Sequence, residues 1–421
     1  AASKLMGWQP LGISVRELCL EHTLPTGQSF RWRQTRNSPV EFTGVLGRRI
    51  VSLQQNTYSI DYKVISRCED ETRDSDSVAL AEYFQKDVCL EKLCQTWAVR
   101  DKRFASLLPF VKGARMLRQD PVECLFSFIC SSNNHISRIH GMVERLAAAY
   151  GDSIEVPEGC NLPAGLGFHA FPTLEQLSMA TEEDLRADGY GYRAKYIVGA
   201  VEALQAKPQG GREWLVALRD APLEEALAEL QTLPGIGPKV AACVALFSLD
   251  KPDAIPVDTH VWRLAVQHYC PHLRHKSLTP KVHREVQEAF KEIFGEYCGW
   301  AHNTLFVAEL PAVRSKLPPS LRLPHPEPSS SKKKPAAKTK AAAKAGVKEE
   351  VLEDSSGLNS PSQAVKEEES EASSGSRVPS QALKEEPTPS AREAKPKRAS
   401  GTVDMASARD MSKWKRKKRA S

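Results

Sequence analysis

The amine of Lys239, the thiol of Cys243, the carboxylate of Asp258 and the imidazole of His260 are groups within one short stretch that could act on a substrate. Lys239 is the oddest placed. It opens the run Lys239-Val-Ala-Ala-Cys-Val-Ala-Leu-Phe-Ser-Leu249, which bears no charge from Val240 to Leu249 and so reads as a helix buried nearly all round. A cation in the first turn of such a helix is unfavourable, because the amino end already carries partial positive charge. One reading is an amine that snorkels to solvent from the helix start. The other is an amine kept partly neutral to act as a nucleophile. The helix end supplies only about 0.3–1 kcal/mol, less than about one pKa unit, whereas desolvation lowers a buried lysine by up to about 3–5 units. A pocket, not the helix end, would have to activate the amine. Asp258 precedes a helix read over Thr259–Tyr269, where its carboxylate suits a cap, and from there it could also serve chemistry at Lys239. His260 lies within a turn of it.

The elements that position these groups follow from apolar spacing and glycine. Leu223, Leu227 and Leu230 mark a short helix over Leu223–Leu233. Pro234-Gly235-Ile236-Gly237 then forces a tight turn, since two glycines permit backbone shapes and close approaches that a side chain would block. Upstream, Phe30–Arg33, Val40–Val45, Ile50–Leu53 and Thr57–Tyr62 are rich in β-branched and aromatic residues and predict an antiparallel sheet within residues 8–70. Leu24-Pro-Thr-Gly-Gln-Ser-Phe-Arg-Trp32 interrupts it with a loop in which Gly27 reads as a turn glycine. A helical pattern runs from Ala79 to Leu108, and Asp120-Pro121 is a cap followed by proline at the first helical position of Val122–Cys130. The polar break Ser131-Ser-Asn-Asn-His135 separates that helix from the next, which ends at Gly151. It gathers amides and Arg138 at helix ends, either as simple capping or as a reader of a base edge. Residues 152–172 are irregular. Asp188-Gly-Tyr-Gly-Tyr-Arg193 either stops a helix or offers an aromatic wedge beside an arginine. The last helical region is Glu288–Leu310.

Helix, Leu233-Pro-Gly-Ile-Gly237, a second helix with Lys239, then Asp258 within Pro256-Val-Asp-Thr-His260 resembles the helix-hairpin-helix DNA glycosylase superfamily. The iron–sulfur branch carries four clustered cysteines after the Asp motif, and this chain has only Cys270 and Cys298 there. The alkylated-base branch lacks the hairpin lysine. Gly27-Gln-Ser-Phe-Arg-Trp32, Phe126-Ser-Phe-Ile-Cys-Ser-Ser-Asn-Asn134 and Gly191-Tyr-Arg-Ala194 occur in the same order as in the eukaryotic 8-oxoguanine DNA glycosylase family, and the similarity covers roughly residues 8–312.

The resemblance implies an α+β protein. Residues 8–111 would form an N-terminal β-sheet-rich (TBP-like) domain with flanking helices, and 112–312 an all-α helix-hairpin-helix glycosylase domain. It implies a monomeric glycosylase and apurinic-site lyase acting, with no cofactor and no metal, on 8-oxoguanine or a formamidopyrimidine opposite cytosine in duplex DNA. Lys239 would attack the sugar C1′ and form a Schiff base, and Asp258 would stabilise the positive sugar. Cys243 and Phe306 would sandwich the flipped base while the Gly27 carbonyl accepts from its N7–H. Asn133, Arg138 and Arg193 would hold the orphaned cytosine with Tyr192 wedged beside it, and His260, Gly235 and Gly237 would grip phosphate. Two positions depart from the family: His302 stands where a glutamine usually reads the base edge, and His135 replaces the third asparagine of the run. An imidazole at 302 would read the base differently, or with pH dependence. Two other readings stay open: a glycosylase for another damaged base, and a non-catalytic DNA-binding scaffold.

Charge separates the chain into two parts. From Leu321 on there are 22 Lys/Arg against 14 Asp/Glu, leaving 36 against 38 in residues 1–320. Binding to a polyanion must therefore use local patches and backbone amides there, with long-range attraction from the tail. Residues 317–421 turn to Pro, Ser, Ala, Lys and Glu and read as disordered. Within them Val347-Lys348-Glu-Glu, Val365-Lys366-Glu-Glu and Leu383-Lys384-Glu-Glu recur every 18 residues and resemble sumoylation acceptors, so the tail is expected to meet nucleic acid or the repair and SUMO machinery. Lys332-Lys-Lys, Lys395-Pro-Lys-Arg398 and Lys413-Trp-Lys-Arg-Lys-Lys-Arg419 resemble nuclear localisation signals, which predicts a nuclear protein with room for a mitochondrial pool. Ten cysteines without a C-x-x-C pair, several in apolar runs, fit reduced thiols of an intracellular protein, and no apolar span suggests a membrane. A start at Ala-Ala-Ser fits removal of an initiator methionine.

Overall fold

Five antiparallel strands build the first body: β1 (Gln9–Ser14), β2 (Trp32–Asn37), β3 (Val40–Leu46), β4 (Arg49–Gln55) and β5 (Ser59–Arg67), in the order β1-β5-β4-β3-β2. The computed structural model describes residues 7–68, 70–72, 75–160, 162 and 167–324, so the expectations for the repeats and basic clusters of the tail lie outside the described residues. Pairs such as Phe42 opposite Leu53 and Leu53 opposite Tyr62 put one apolar row on the face covered by α1 (Leu20–Thr23) and α2 (Asp76–Tyr83). Trp32 donates its indole N–H to the Tyr83 hydroxyl at 2.8 Å across that core. The edge strand β1 is not legible in composition, because Pro10 and Gly12 interrupt it and its register with β5 shifts between Pro10 and Ser14.

The helical pattern read through 79–108 is in fact three helices: α2, then α3 (Leu90–Arg100) and α4 (Lys102–Leu107). Gln85, at φ 47°, breaks the first junction, and the Asp101 carboxylate caps α4 by accepting from the Phe104 amide at 2.6 Å. Trp97 and Phe104 pack edge-on to each other and against Phe294, so α3 and α4 belong to the helical core.

The second body comprises α5 (Pro121–Cys130), α6 (Ile136–Tyr150), α7 (Leu174–Leu177), α8 (Glu182–Ala187), α9 (Arg193–Gln205) and α10 (Gly211–Ala217). It continues with α11 (Leu223–Leu230), α12 (Pro238–Ser248), α13 (Thr259–His268), α14 (Pro280–Phe294), α15 (Cys298–Val307) and α16 (Pro311–Arg314). Every residue of α12 from Val240 to Ser248 is buried, as its lack of charge requires. Asp120 caps α5 as expected, accepting from the Val122 amide at 2.9 Å. The single region expected over Glu288–Leu310 is broken at Gly295, whose φ of 76° no helix accommodates, and α14 starts earlier on the Thr279 cap. Leu317 and Leu323 are buried in the same core. Packing thus extends beyond residue 312, and the tail expected from 317 begins too early. All ten cysteines are free thiols.

Candidate active site

The hairpin between α11 and α12 uses its two glycines differently. Gly235 has φ 81°, and a Cβ there would lie 2.6 Å from the Tyr196 Cβ, so no other residue fits without displacement. Gly237 has an ordinary φ of −93°, and a Cβ there would meet nothing within 4 Å. Its bare backbone faces open space at the start of α12, where no side chain caps the helix amides. Two residues on, Lys239 is half-buried with Nζ 5.4 Å from the centre of the Phe128 ring on α5. The amine turns inward over an aromatic face and does not extend to solvent.

Lys239 lines one cavity with Gly27, Cys243, Asp258, His302 and Phe306. Asp258 caps α13: its Oδ1 accepts from the amides of His260 at 2.8 Å and Val261 at 2.9 Å, while Oδ2 makes no hydrogen bond among the described residues. Burial pushes the Cys243 thiol up, and the neighbouring Lys239 ammonium partly offsets this. Burial also pushes the His302 imidazole down to about 4, so the ring is neutral near pH 7 and pH-dependent reading between pH 5 and 8 is not expected of it. Among the described residues neither ring nitrogen makes a well-formed hydrogen bond, and the backbone of Gly299, one turn earlier, is the near polar group that opposes this shift. Gly27 sits at φ 88°, with Ile136 Cδ1 3.1 Å from where a Cβ would lie. Its loop is pinned by Gln28, whose side-chain amide donates to the carbonyls of Thr23 at 3.1 Å and Arg115 at 3.0 Å and accepts from the Leu117 amide at 3.0 Å. His260 is exposed and stands edge-on to Phe306, ring centres 6.4 Å apart.

A second cluster forms where α5 ends. Asn133 is exposed in a left-handed conformation (φ 46°). Tyr192 is 46% exposed and donates its hydroxyl to the Ser132 carbonyl at 2.8 Å. Arg193, in contrast, is buried: it lies over the Tyr192 ring at 4.6 Å and donates to the carbonyls of Ser132 and Asn133. The exposed aromatic is as expected, but its arginine neighbour holds the loop's backbone. Arg138 is exposed and reaches the Gly189 carbonyl at 3.4 Å. His135 caps α6, its Nδ1 accepting from the Arg138 amide at 3.4 Å.

Residues 10–125 match the family described as 8-oxoguanine DNA glycosylase, N-terminal domain, and residues 126–294 match the HhH-GPD superfamily of base excision DNA repair proteins. An N-glycosylase/DNA lyase OGG1 of Arabidopsis thaliana is 46% identical, over 74% of this chain and 82% of its own length. The chain belongs to the 8-oxoguanine DNA glycosylase family. An N-glycosylase/DNA lyase of Saccharomyces cerevisiae is 36% identical over 71% of this chain and 85% of its own. Among solved structures of the family, the Clostridium acetobutylicum 8-oxoguanine glycosylase/lyase, in complex with double-stranded DNA containing cytosine opposite 8-oxoG, is 26% identical with a TM-score of 0.61. That likeness covers 75% of this chain and 100% of that one.

Sequence reasoning missed other residues of the cavity wall, among them Gln28, Phe128, Phe247 and Asn303. Phe128 and Phe247 stack at 5.3 Å, but in apolar helices they are indistinguishable from core residues until the helices are packed. Asn303 carried a signal, as a polar residue inside the buried helix α15.

Proposed function

We propose that this chain is a bifunctional DNA glycosylase and lyase that excises 8-oxoguanine, and related oxidised purines such as formamidopyrimidines, opposite cytosine in duplex DNA. The observation that carries this reading is the shared cavity: an inward-turned amine, a carboxylate with one uncommitted oxygen, a thiol and an aromatic ring line one space. A flipped base needs such a slot, because its glycosidic carbon is out of reach inside the duplex. The free amine of Lys239 attacks C1′ as the bond to the base nitrogen breaks, and the base leaves with the bonding electrons and takes up a proton. Ring opening then leaves a Schiff base between Nζ and C1′. Loss of a C2′ proton expels the 3′ phosphate by β-elimination, and water releases the lysine. Asp258 Oδ2 balances the positive charge that grows on the sugar.

Cys243 and Phe306 take the two faces of the base and the Gly27 carbonyl accepts from N7–H, a donor that guanine lacks. The hairpin amides of Gly235 and Gly237, together with His260, hold phosphate. Asn133 and Arg138 face the orphaned cytosine with Tyr192 as the wedge, while Arg193 acts by fixing the Ser132–Asn133 backbone. A pure DNA-binding scaffold would need the hairpin but not an amine, thiol and carboxylate on one cavity. Outside the described residues, the basic clusters are read as nuclear import signals, and Lys348, Lys366 and Lys384 as attachment sites for a ubiquitin-like modifier. Borohydride trapping on duplexes with 8-oxoguanine opposite each base tests the enzyme. A covalent adduct favouring the cytosine pair, and lost in Lys239→Gln, is expected. No adduct on any damaged duplex would sink the lyase reading.

A further inference from the structure

Residues 259–284 contain no Asp or Glu, yet they carry Arg263, Arg274, Lys276, Lys281 and Arg284 together with five histidines. Residues 1–320 hold 36 Lys/Arg against 38 Asp/Glu, so this run is a local excess of positive charge. It folds as α13, one 3₁₀ turn (Pro271–Leu273), an exposed loop and the first turn of α14. Val261, Leu264, Leu273 and Val282 go to the core, which leaves Arg274, Lys276, Lys281 and Arg284 exposed. Lys276 meets Glu285 at 3.7 Å, whereas Arg274, Lys281 and Arg284 make no ion pair among the described residues. Cations gathered on one face without partners repel one another and attract a polyanion.

Two features say which polyanion suits this face. The described residues end at Pro324, whose carbonyl accepts from Arg263, one turn along α13 from His260. Whatever follows Pro324 is therefore tethered to the basic face itself. The second feature is charge segregation in the residues that follow. Residues 348–371, outside the described residues, hold eight Asp/Glu and two Lys, whereas the remainder from Leu321 on holds 20 Lys/Arg and six Asp/Glu. Glu349 is 25 residues beyond Pro324. A chain of that length reaches roughly 80–90 Å at full extension, and α13 is only about 15 Å long. A segment tethered this closely acts at an effective concentration on the order of millimolar, so weak exposed ion pairs suffice to seat it.

We propose that residues 348–371 dock on the basic face of residues 259–284 in the same molecule, where their carboxylates take the place of DNA phosphates. Duplex must displace the segment before its backbone can use that face. A duplex gripped only by its phosphates competes poorly, while one with a base seated in the cavity adds contacts that the segment cannot copy. The docked segment thus lowers affinity for undamaged DNA more than for damaged DNA. Competition with DNA rests on the base-excision reading above, but the docking does not. The basic clusters elsewhere in the tail keep its net attraction for DNA.

Carbodiimide, which joins a carboxylate to an amine as an amide, tests the docking on the full chain without DNA. Cross-links from residues 349–371 to Lys276 or Lys281 are expected, lost at about 0.5 M salt. In a mixture of ¹⁴N- and ¹⁵N-labelled chains they should join residues of one molecule. Cross-links from the segment only to lysines of the tail, or between labelled and unlabelled chains, would overturn the proposal. Its consequence is read from the Kd for undamaged duplex. Neutralising the segment by Glu349→Gln, Glu350→Gln, Glu353→Gln, Asp354→Asn, Glu367→Gln, Glu368→Gln, Glu369→Gln and Glu371→Gln should tighten that Kd about 3–10-fold at low salt. In an Arg274→Gln/Lys281→Gln/Arg284→Gln background the same change should have less than about a twofold effect. An equal gain in both backgrounds would mean that the carboxylates only repel DNA at a distance, and would overturn the proposal. Failure of the wild type to excise 8-oxoguanine would sink the base-excision reading and leave the cross-linking result standing.

Discussion

One oxygen of Asp258 holds the start of α13 by accepting from the His260 amide at 2.8 Å, and it accepts from Val261 as well at 2.9 Å, leaving the other oxygen to the cavity. Capping and chemistry are therefore separable by substitution. Asp258→Asn keeps a carbonyl oxygen for the cap, so its melting temperature should fall by no more than about 2 °C. Its excision rate should drop by roughly 100-fold or more, since a neutral amide does not balance a cationic sugar. Asp258→Ala should lose both, with a further stability cost of about 1 kcal/mol. Near-normal excision by Asp258→Asn would show that the carboxylate only caps.

The two hairpin glycines should fail in opposite ways. An alanine at 235 needs a positive φ and collides with Tyr196, so Gly235→Ala should cost roughly 1–3 kcal/mol in thermal or urea unfolding. An alanine at 237 meets no protein atom, so Gly237→Ala should leave the melting temperature within about 1 °C. Its effect should appear only with DNA, as a methyl group between backbone amides and phosphate. A weaker Kd for duplex at unchanged stability supports that assignment, and unchanged DNA affinity counts against it.

His302 also sets a pH dependence of stability whose sign is fixed by burial. The unfolded chain takes up a proton near the ordinary value of 6.5, whereas the folded ring takes one only near about 4. The folded state thus binds fewer protons between these values, and stability falls as pH drops from 6.5 toward 4. At pH 5 the loss from this residue is on the order of 2 kcal/mol. Melting curves at pH 7 and pH 5 should therefore converge in His302→Leu relative to wild type. Equal pH slopes in the two proteins would mean that the ring is solvated.

Much of this was legible in residue order because the informative positions break local rules. Lys239 is the only charge on a core helix, Asp258 follows an apolar run, and Gly27 must adopt a positive φ; each is a departure that packing alone does not need. Sheet strands with β-branched residues were readable for the same period-two reason that lets Phe42 face Leu53. What sequence could not give were properties of assembly. Phe128 reaches the Lys239 cavity only because α5 lies against α12, and Arg193 turns inward because carbonyls of a distant loop surround it. The extra breaks at Gln85 and Gly295 were missed because apolar spacing continues across them.

The end of the folded body gives the last prediction. Leu317 and Leu323 are 1% and 2% exposed, Arg314 donates to the Leu323 carbonyl at 2.5 Å, and Arg263 donates to that of Pro324. A chain cut after residue 316 loses these anchors, and each buried leucine is worth roughly 1.5–3 kcal/mol. Its melting temperature should fall by at least about 5 °C. A chain cut after 324 keeps them and should match the full chain in melting temperature and in single-turnover excision. The residues from Leu321 on nevertheless carry 22 Lys/Arg against 14 Asp/Glu, so the 1–324 chain should bind undamaged duplex more weakly at low salt. Its affinity should also fall less steeply with salt, because fewer phosphates lose their counterions. A salt slope identical to that of the full chain would show that the basic clusters never touch the DNA.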